Sequence, residues 1–475
     1  MKSLVTLTSA LLLTTVSPAR ALTPMIDCAA DPGNIRCVTR DLGDSAGTIG
    51  SGPAIYQGGT DVLRGGFVTS DGRTLIVAVE TLRNDDQFGA VMAIDLNTGN
   101  RTLISGYLNS IQRAGKGVKA QGDRGDTLDL YTLGNVTDVK PLPDGSLVAY
   151  AGQAIRIDPA TGDRTLLWTP VTAGDTRVRD TVEVKYRASN TSTASGGGSS
   201  SAPGGTISTP VGNVNVGGFL GGLFGGQKPA APAQPAPASA AGPGNGYFCR
   251  QTDEKAPLPA LPSHYMHVDA QGNIYLMGSN SPIGAGFALF KLDAKNDYRC
   301  TAISRFNADG DDVLGGGIPW TNSSMGSGPQ FGNFALNGAT LYASGGPNPN
   351  YMVVGVDLRT GERRLVSGQT HEGGAQIFKK GQGSGHIGSM LTFSGGKLYT
   401  TQEQVKAEAF TLVQIDPASG DRTILLPAKN TPLARGFASN VTLYAVPNSD
   451  QLLVWFNGAL HVLDPKTGQN FILSR

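Results

Sequence analysis

Short apolar runs rich in β-branched residues recur along the whole chain, and Gly, Asp, Asn or Pro bounds each of them. Examples are "TLIVAV" after Asp71-Gly72, "SLVAYA" after Asp144-Gly145 and "NIYLMG" after Gln271-Gly272. Runs of this length between turn residues are typical of β-strands, and no stretch between them carries a helical period. The pattern therefore predicts an all-β chain.

One turn motif recurs six times along the chain, with the pattern D-x-x-[TS]-G-x-R. Clear copies begin at Asp95, Asp158, Asp357 and Asp416, with weaker copies at Asp293 and Asp464. The Asp side chain can accept backbone N–H groups just ahead of it, and Gly can take the left-handed conformation that closes the loop. In the copy at Asp293 the Gly position holds Asp297, a poorer left-handed residue. The Arg that follows each turn becomes Asn470 in the last copy.

Each copy of the turn belongs to a unit of four strands. An apolar strand enters the Asp, a second leaves the Arg, and two further strands such as "HYMHVDA" and "NIYLMG" lie upstream. Six such units predict a six-bladed β-propeller of four-stranded antiparallel blades. A β-sandwich, the main alternative, would not need the same third turn in every unit. The fragment "DPGNIRC" at 31–37 resembles a shortened turn. Two interpretations of it stay open, a strand that closes the ring or a remnant of a seventh blade.

The turn "DPATGDRT", the D-G-x-L-Y type of strand and "GSGP" at 50–53 and 326–329 resemble exported NHL-like and TolB-like six-bladed propellers. The resemblance covers about residues 31–475. It implies an architecture and not an activity, because this superfamily includes lactonases, quinone-dependent oxidoreductases and pure binding scaffolds.

The predicted organisation has five parts. They are a signal peptide (1–21), an N-terminal segment with a ring-closing strand (22–63), blades 1 and 2 (64–187), an insertion (188–246) and blades 3 to 6 (247–475). The Gly/Ser-rich and then Ala/Pro-rich composition of the insertion predicts disorder. Its one apolar piece is a candidate partner-docking segment, made of Phe219, Leu220, Leu223 and Phe224.

The first residues predict export, and the rest of the composition agrees with a soluble protein of the periplasm or the extracellular space. Lys2, a short apolar run and Ala19-Arg20-Ala21 form a secretory signal, and no later run is long enough to span a membrane. Removing Lys2 and Arg20 changes the formal charge from +1 to −1. Because charges of both signs are interspersed, nothing indicates a nucleic-acid partner.

The four cysteines of this exported chain predict disulfides. Proximity along the chain favours Cys28 with Cys37 and Cys249 with Cys300, although three pairings are formally open.

Candidate site residues follow from where propellers bind ligands, at the mouth of the central channel. His264 and His386 begin innermost strands, and the connection between blades 3 and 4 carries Asp309, Asp311, Asp312 and Trp320. The acidic run resembles a Ca²⁺-binding loop. An EF-hand loop, however, requires Gly and Glu at the positions that Asp312 and Ile318 occupy here. The positions just after the second strands, among them Glu80, hold candidate ligands that are too few and too scattered to form a metal coordination shell.

No nucleophile elbow, P-loop, haem motif or His-rich cluster is present in the sequence. The sequence therefore favours an exported binding or interaction scaffold with a protein or carbohydrate partner. It assigns no catalytic, metal or cofactor residues. The alternative is a metal-dependent, lactonase-like hydrolase with its site at the channel mouth.

Overall fold

The computed structural model describes the strands, their turns and part of the N-terminal segment. The described residues are 25–28, 30–31, 33–37, 49–53, 61–83, 86–108, 113–118, 133, 136–168, 206–209, 212–215, 260–279, 286–296, 298–307, 317–318, 334–345, 352–372, 375–383, 387–388, 390–401, 410–435 and 441–475.

Six antiparallel sheets follow one another along the chain, and each is built from consecutive strands. Blade 1 has five strands: β1 (Asp61–Val68), β2 (Thr74–Arg83), β3 (Asp86–Asp95), β4 (Arg101–Tyr107) and β5 (Arg113–Ala114). Blade 2 has four: β6 (Asp138–Pro141), β7 (Leu147–Tyr150), β8 (Ala154–Ile157) and β9 (Arg164–Trp168). A separate hairpin follows, made of β10 (Thr206–Thr209) and β11 (Gly212–Asn215).

The second half of the chain repeats the arrangement. Blade 3 has β12 (Ala260–Val268), β13 (Ile274–Ser279), β14 (Gly286–Asp293) and β15 (Arg299–Asn307). Blade 4 has β16 (Phe334–Asn337), β17 (Thr340–Gly345), β18 (Met352–Asp357), β19 (Arg363–Glu372) and β20 (Ala375–Lys380). Blade 5 has β21 (Leu391–Ser394), β22 (Lys397–Thr401), β23 (Leu412–Ile415) and β24 (Arg422–Leu425). Blade 6 has β25 (Thr442–Ala445), β26 (Leu452–Phe456), β27 (Ala459–Leu463) and β28 (Asn470–Ser474).

The six blades form a closed ring, as the sequence predicts. The innermost strand of each blade contacts that of the next, and β25 of blade 6 contacts β1 of blade 1. Among the described residues, six large clusters of buried apolar side chains lie one at each interface between neighbouring blades. Because both faces of a blade are covered, central strands such as β26 are buried at every position.

The repeated turn joins the third and fourth strands of each blade and has the predicted geometry. Asp95 Oδ1 accepts the N–H groups of Asn97 and Thr98 at 2.9 and 2.8 Å, and Gly99 has a φ of 78°. Equivalent Asp bonds occur at Asp158, Asp293, Asp357, Asp416 and Asp464. In blade 3 the predicted left-handed residue, Asp297, lies outside the described residues. Tyr298, one position later, has a φ of 56°.

The recurring Arg links a blade to the one before it in blades 1, 2 and 4. Arg164 of blade 2 donates from Nε to Val118 O (3.0 Å) and from Nη1 to Ser105 Oγ (2.9 Å) in β4 of blade 1. Arg363 of blade 4 does the same with Ile318 O (3.0 Å) and Ser304 Oγ (2.6 Å) of β15. These bonds compensate the buried guanidinium groups, whose pKa values burial lowers.

A Gly-x-Gly loop accompanies these arginines, and "GSGP" at 50–53 is one such loop. Gly50 and Gly52 precede blade 1 and have positive φ, and a Cβ at either would lie about 2 Å from the carbonyl oxygen of Gly99 or Arg101 in blade 1. Close backbone approach to the following blade therefore requires glycine at both positions. The second "GSGP", at 326–329, lies outside the described residues.

The N-terminal segment closes the seam between blade 6 and blade 1 by hydrogen bonds, without a strand in its described residues (25–28, 30–31, 33–37 and 49–53). Ile49 exchanges both backbone hydrogen bonds with Arg475, and Arg36 O accepts the N–H of Ile472 (2.7 Å). Arg101 Nη1 joins Ile49 O to Ser474 Oγ across the seam. The predicted Cys28–Cys37 disulfide is present, and both cysteines are buried in the core that blades 1 and 6 share.

Several other predicted features lie outside the described residues. The predicted signal peptide (1–21) and the docking residues Phe219, Leu220, Leu223 and Phe224 are outside the described residues, as is Cys249, the predicted partner of Cys300. Helical structure within the described part consists of two 3₁₀ turns, Ala294–Asn296 and Pro432–Arg435. No helix there is long and apolar enough to cross a bilayer.

Candidate functional site

A group of charged and phenolic side chains lies among the innermost strands of the ring. It consists of Arg64 and Glu80 from blade 1, Asp138 and Lys140 from blade 2, Tyr265 from blade 3 and Tyr444 from blade 6. We call it the channel cluster. Its residues come from innermost strands, except Glu80, which comes from β2.

Two of these innermost strands carry irregularities where the cluster residues stand. The pairing of β1 with β2 shifts between Leu63 and Gly66, and the pairing of β12 with β13 shifts between Pro262 and Met266. Arg64 and Tyr265 lie inside the two shifted stretches. A bulge of this kind turns a side chain away from its regular direction. A residue of an innermost strand can then face the channel instead of the neighbouring blade.

Arg64 and Glu80 form the first ion pair of the cluster. Arg64 donates from both Nε and Nη2 to Glu80 Oε2 at 2.5 Å. The Glu80 side chain is 7% exposed and that of Arg64 is 29% exposed. Tyr444 Oη donates to the backbone oxygen of Arg64, which holds the bulge from the blade 6 side.

Asp138 and Lys140 form the second pair, and Asp138 is completely buried. Its Oδ1 accepts from Lys140 Nζ at 2.6 Å, and its Oδ2 accepts the N–H of Met266 in blade 3 at 2.8 Å. Burial raises the pKa of the Asp138 carboxyl, and the neighbouring Lys140 opposes that rise. Lys140 Nζ also donates to Gly66 O in blade 1 (3.0 Å), so the pair links three blades.

Tyr265 connects the two ion pairs. Burial raises the pKa of its hydroxyl group, an effect that Arg64 opposes and that Asp138 and Glu80 reinforce. Its Oη donates to Met390 Sδ of blade 5 at 3.6 Å. The phenol is therefore protonated at neutral pH, and its single proton is donated to Met390.

The channel cluster is suited to bind a polar ligand by hydrogen bonds. Its two cations and two carboxylates cancel, so a strongly charged ligand gains little from it. Arg64, Glu80 and Lys140 keep partly exposed atoms beside the channel. In the described part of the chain, no three His, Cys, Asp or Glu side chains lie close enough together to hold a metal ion.

The predicted site residues fall mostly outside the described part of the chain. His386, Asp309, Asp311, Asp312 and Trp320 are not among the described residues. His264 lies in β12 directly before Tyr265, within the shifted stretch. Glu80, which the sequence offers only as a scattered acid, belongs to the cluster.

Sequence reasoning did not identify Arg64, Asp138, Lys140, Tyr265 and Tyr444. The available signal was the charged or aromatic residue inside otherwise apolar innermost strands, as in "DVLRGGFV" and "DVKP". Whether such a residue points to the channel depends on a bulge, which a strand pattern does not reveal.

A cavity of about 700 Å³ lies at the turn end between blades 3 and 4, away from the channel cluster. Asp269, Tyr275, Lys291 and Arg359 are among the residues that line it. Asp269 accepts hydrogen bonds from Gln271, Asn273 and Tyr275, so its carboxylate is already engaged in holding the turn. The cavity is thus a cleft between turns, without the linked ion pairs of the channel.

Fold and cluster together define a six-bladed β-propeller with a polar channel. No protein-family model matches the chain, and no curated protein matches it. Among solved structures, the calcium-binding protein regucalcin from Agrobacterium tumefaciens is 8% identical, with a TM-score of 0.37 over 90% of this chain and 97% of that one. Oligogalacturonate lyase from Vibrio parahaemolyticus is 8% identical, with a TM-score of 0.35 over 88% and 91%. At these scores the likeness carries no argument about function.

Proposed function

We propose that this protein is an exported binding propeller whose channel cluster holds a small, neutral, hydroxyl-rich ligand such as a carbohydrate unit. The observation that carries the proposal is the pair of linked ion pairs, Arg64–Glu80 and Asp138–Lys140, placed across three blades. Buried ion pairs are weak contributors to stability, and apolar residues of similar volume often serve a core better. Charged groups kept at the centre of a ring therefore support a binding role.

The chemistry of the cluster supports the ligand class. The Arg64 guanidinium and the Lys140 ammonium supply donors, while Glu80 supplies a carboxylate acceptor. Sugar hydroxyl groups both donate and accept, so they can use this mixed set without bringing a charge into the channel. Export is supported by the predicted signal peptide and by the Cys28–Cys37 disulfide, since disulfides persist in oxidising compartments.

Saturation-transfer NMR of the mature protein with a panel of neutral mono- and disaccharides tests this proposal. We expect binding by the natural protein and its loss in the double variant Arg64→Met/Glu80→Met, which removes both charges together and leaves none unpaired. The control, Arg359→Met, changes a cation that lines the cavity between blades 3 and 4, and it should bind normally. No saturation transfer from any sugar, or equal binding by both variants, would contradict the proposal.

The alternative is a hydrolase that uses a divalent ion at the channel mouth. It is supported by the position of His264 next to Tyr265 in β12. It predicts one tightly held divalent ion per purified chain, lost together with lactone hydrolysis in His264→Ala. Elemental mass spectrometry before and after chelation, combined with a lactone screen, distinguishes it from the binding propeller.

A further inference from the structure

Three equivalent positions in blades 1, 2 and 3 hold residues of very different size. In each blade we count the paired residues of the first two strands outward from the turn that joins them. The third pair is Gly66–Val77 in blade 1, Val139–Ala149 in blade 2 and Met266–Leu276 in blade 3. The residues directly before these pairs are Gly65, Asp138 and Tyr265. They therefore stand at the same height around the channel. The acidic residue lies between the glycine and the tyrosine.

The glycine makes room for the carboxylate. A Cβ added at Gly65 would lie 2.1 Å from Asp138 Oδ1, which is closer than two non-bonded atoms can approach. The backbone of blade 1 and the Asp138 side chain of blade 2 are thus fitted to each other.

Asp138 and its neighbours supply hydrogen bonds to the ends of both shifted stretches. In blade 3, Asp138 Oδ2 accepts the N–H of Met266, the residue directly after Tyr265. In blade 1, Lys140, held by Asp138 Oδ1, donates to Gly66 O, and Thr137 O accepts the N–H of Gly65. A strand bulge leaves backbone groups without a ladder partner, and here blade 2 provides the partners.

We propose that Asp138 is the positioning residue of the channel site. It holds the bulge that presents Arg64 to the ligand and the bulge that carries Tyr265 beneath it, without touching the ligand itself. The inference rests on the proposed function, because that function makes the channel cluster a ligand-binding site. The positioning itself depends only on the contacts of Asp138. Its complete burial separates it from Arg64, Glu80 and Lys140, which keep exposed atoms.

The test is hydrogen–deuterium exchange of the full mature chain, read in peptides that cover β1, β12 and β27. The variant is Asp138→Asn, whose amide oxygen can still accept from Met266 while its NH₂ group cannot accept from Lys140. We expect exchange in β1 to rise by about tenfold, a smaller rise in β12, and no change in β27. Asp138→Leu should raise exchange in β1 and β12 alike, because it removes both acceptors.

The two variants distinguish positioning from general loss of structure. Unchanged exchange in β1 and β12 of both variants overturns the inference, and so does an equal rise in β27, because the effect would then be global. The exchange result does not depend on any sugar. If local exchange rises as expected while the natural protein shows no saturation transfer from the saccharide panel, the proposed function fails and the positioning by Asp138 stands.

Discussion

His461 shows how one buried side chain makes the whole ring sensitive to acid. It lies in β27 with 1% exposure, packs edge to face against Phe456, and its Nδ1 has no hydrogen-bond partner in the described structure. Burial lowers its pKa from 6.5 to about 3. The folded chain therefore holds it neutral, while the unfolded chain takes up a proton below about pH 6.5.

Because the folded pKa of His461 is lowered, its contribution to stability is complete above pH 6.5 and is lost as the pH falls toward 3. At pH 4 the loss amounts to about 3 kcal/mol. We predict that His461→Leu flattens the fall in unfolding free energy between pH 6.5 and 4. Urea unfolding at several pH values measures it. A variant with the same slope as the natural protein would exclude His461 as the cause.

Gly65 makes a second prediction at the residue scale. Gly65→Ala should cost about 1–3 kcal/mol by overpacking, because the new methyl group displaces the Asp138 carboxylate. The matched control is Gly33→Ala, where the nearest atom to a new Cβ is 3.9 Å away. Thermal melting compares the two. Equal melting temperatures would show that the carboxylate can move aside freely.

At the scale of one element, the fourth strand of blades 1, 2 and 4 is fixed by an arginine that reaches the preceding blade. The sequence predicts the recurrence of this Arg and the Asp and Gly of the turn, because those roles are local. It does not predict that Arg363 bonds Ser304, because the serine lies in another blade. The channel cluster escapes prediction for the same reason, since its geometry depends on irregular pairing in β1 and β12.

We predict that Arg363→Lys destabilises the ring by roughly 2–3 kcal/mol, since an ammonium cannot replace the two directed bonds to Ile318 O and Ser304 Oγ. The neighbouring Arg364→Lys changes an exposed residue of the same strand and should stay within about 0.5 kcal/mol. Chemical unfolding of both variants measures the difference. A loss of equal size in both would assign the effect to the strand surface and not to the contact between blades.

For the whole molecule, the described N-terminal segment completes the ring at its seam. The disulfide between Cys28 and Cys37 fixes this segment in the core of blades 1 and 6. Cys28→Ala/Cys37→Ala should lower stability by about 2–3 kcal/mol, which is the range for closing a short loop. Cys249→Ala/Cys300→Ala serves as comparison. If reductant destabilises the natural protein but not the Cys28/Cys37 double variant, the seam disulfide is the responsible bond.

Ring closure also orders the events of folding. Thr442 of blade 6 donates to Leu63 O of blade 1 across 379 residues, and the same two blades share a core of buried apolar side chains at the seam. A chain that emerges N-terminus first can stack blade 2 on blade 1 early, but the opposite face of blade 1 stays uncovered until blade 6 arrives. That face is the surface on which aggregation or a chaperone would compete with the native structure.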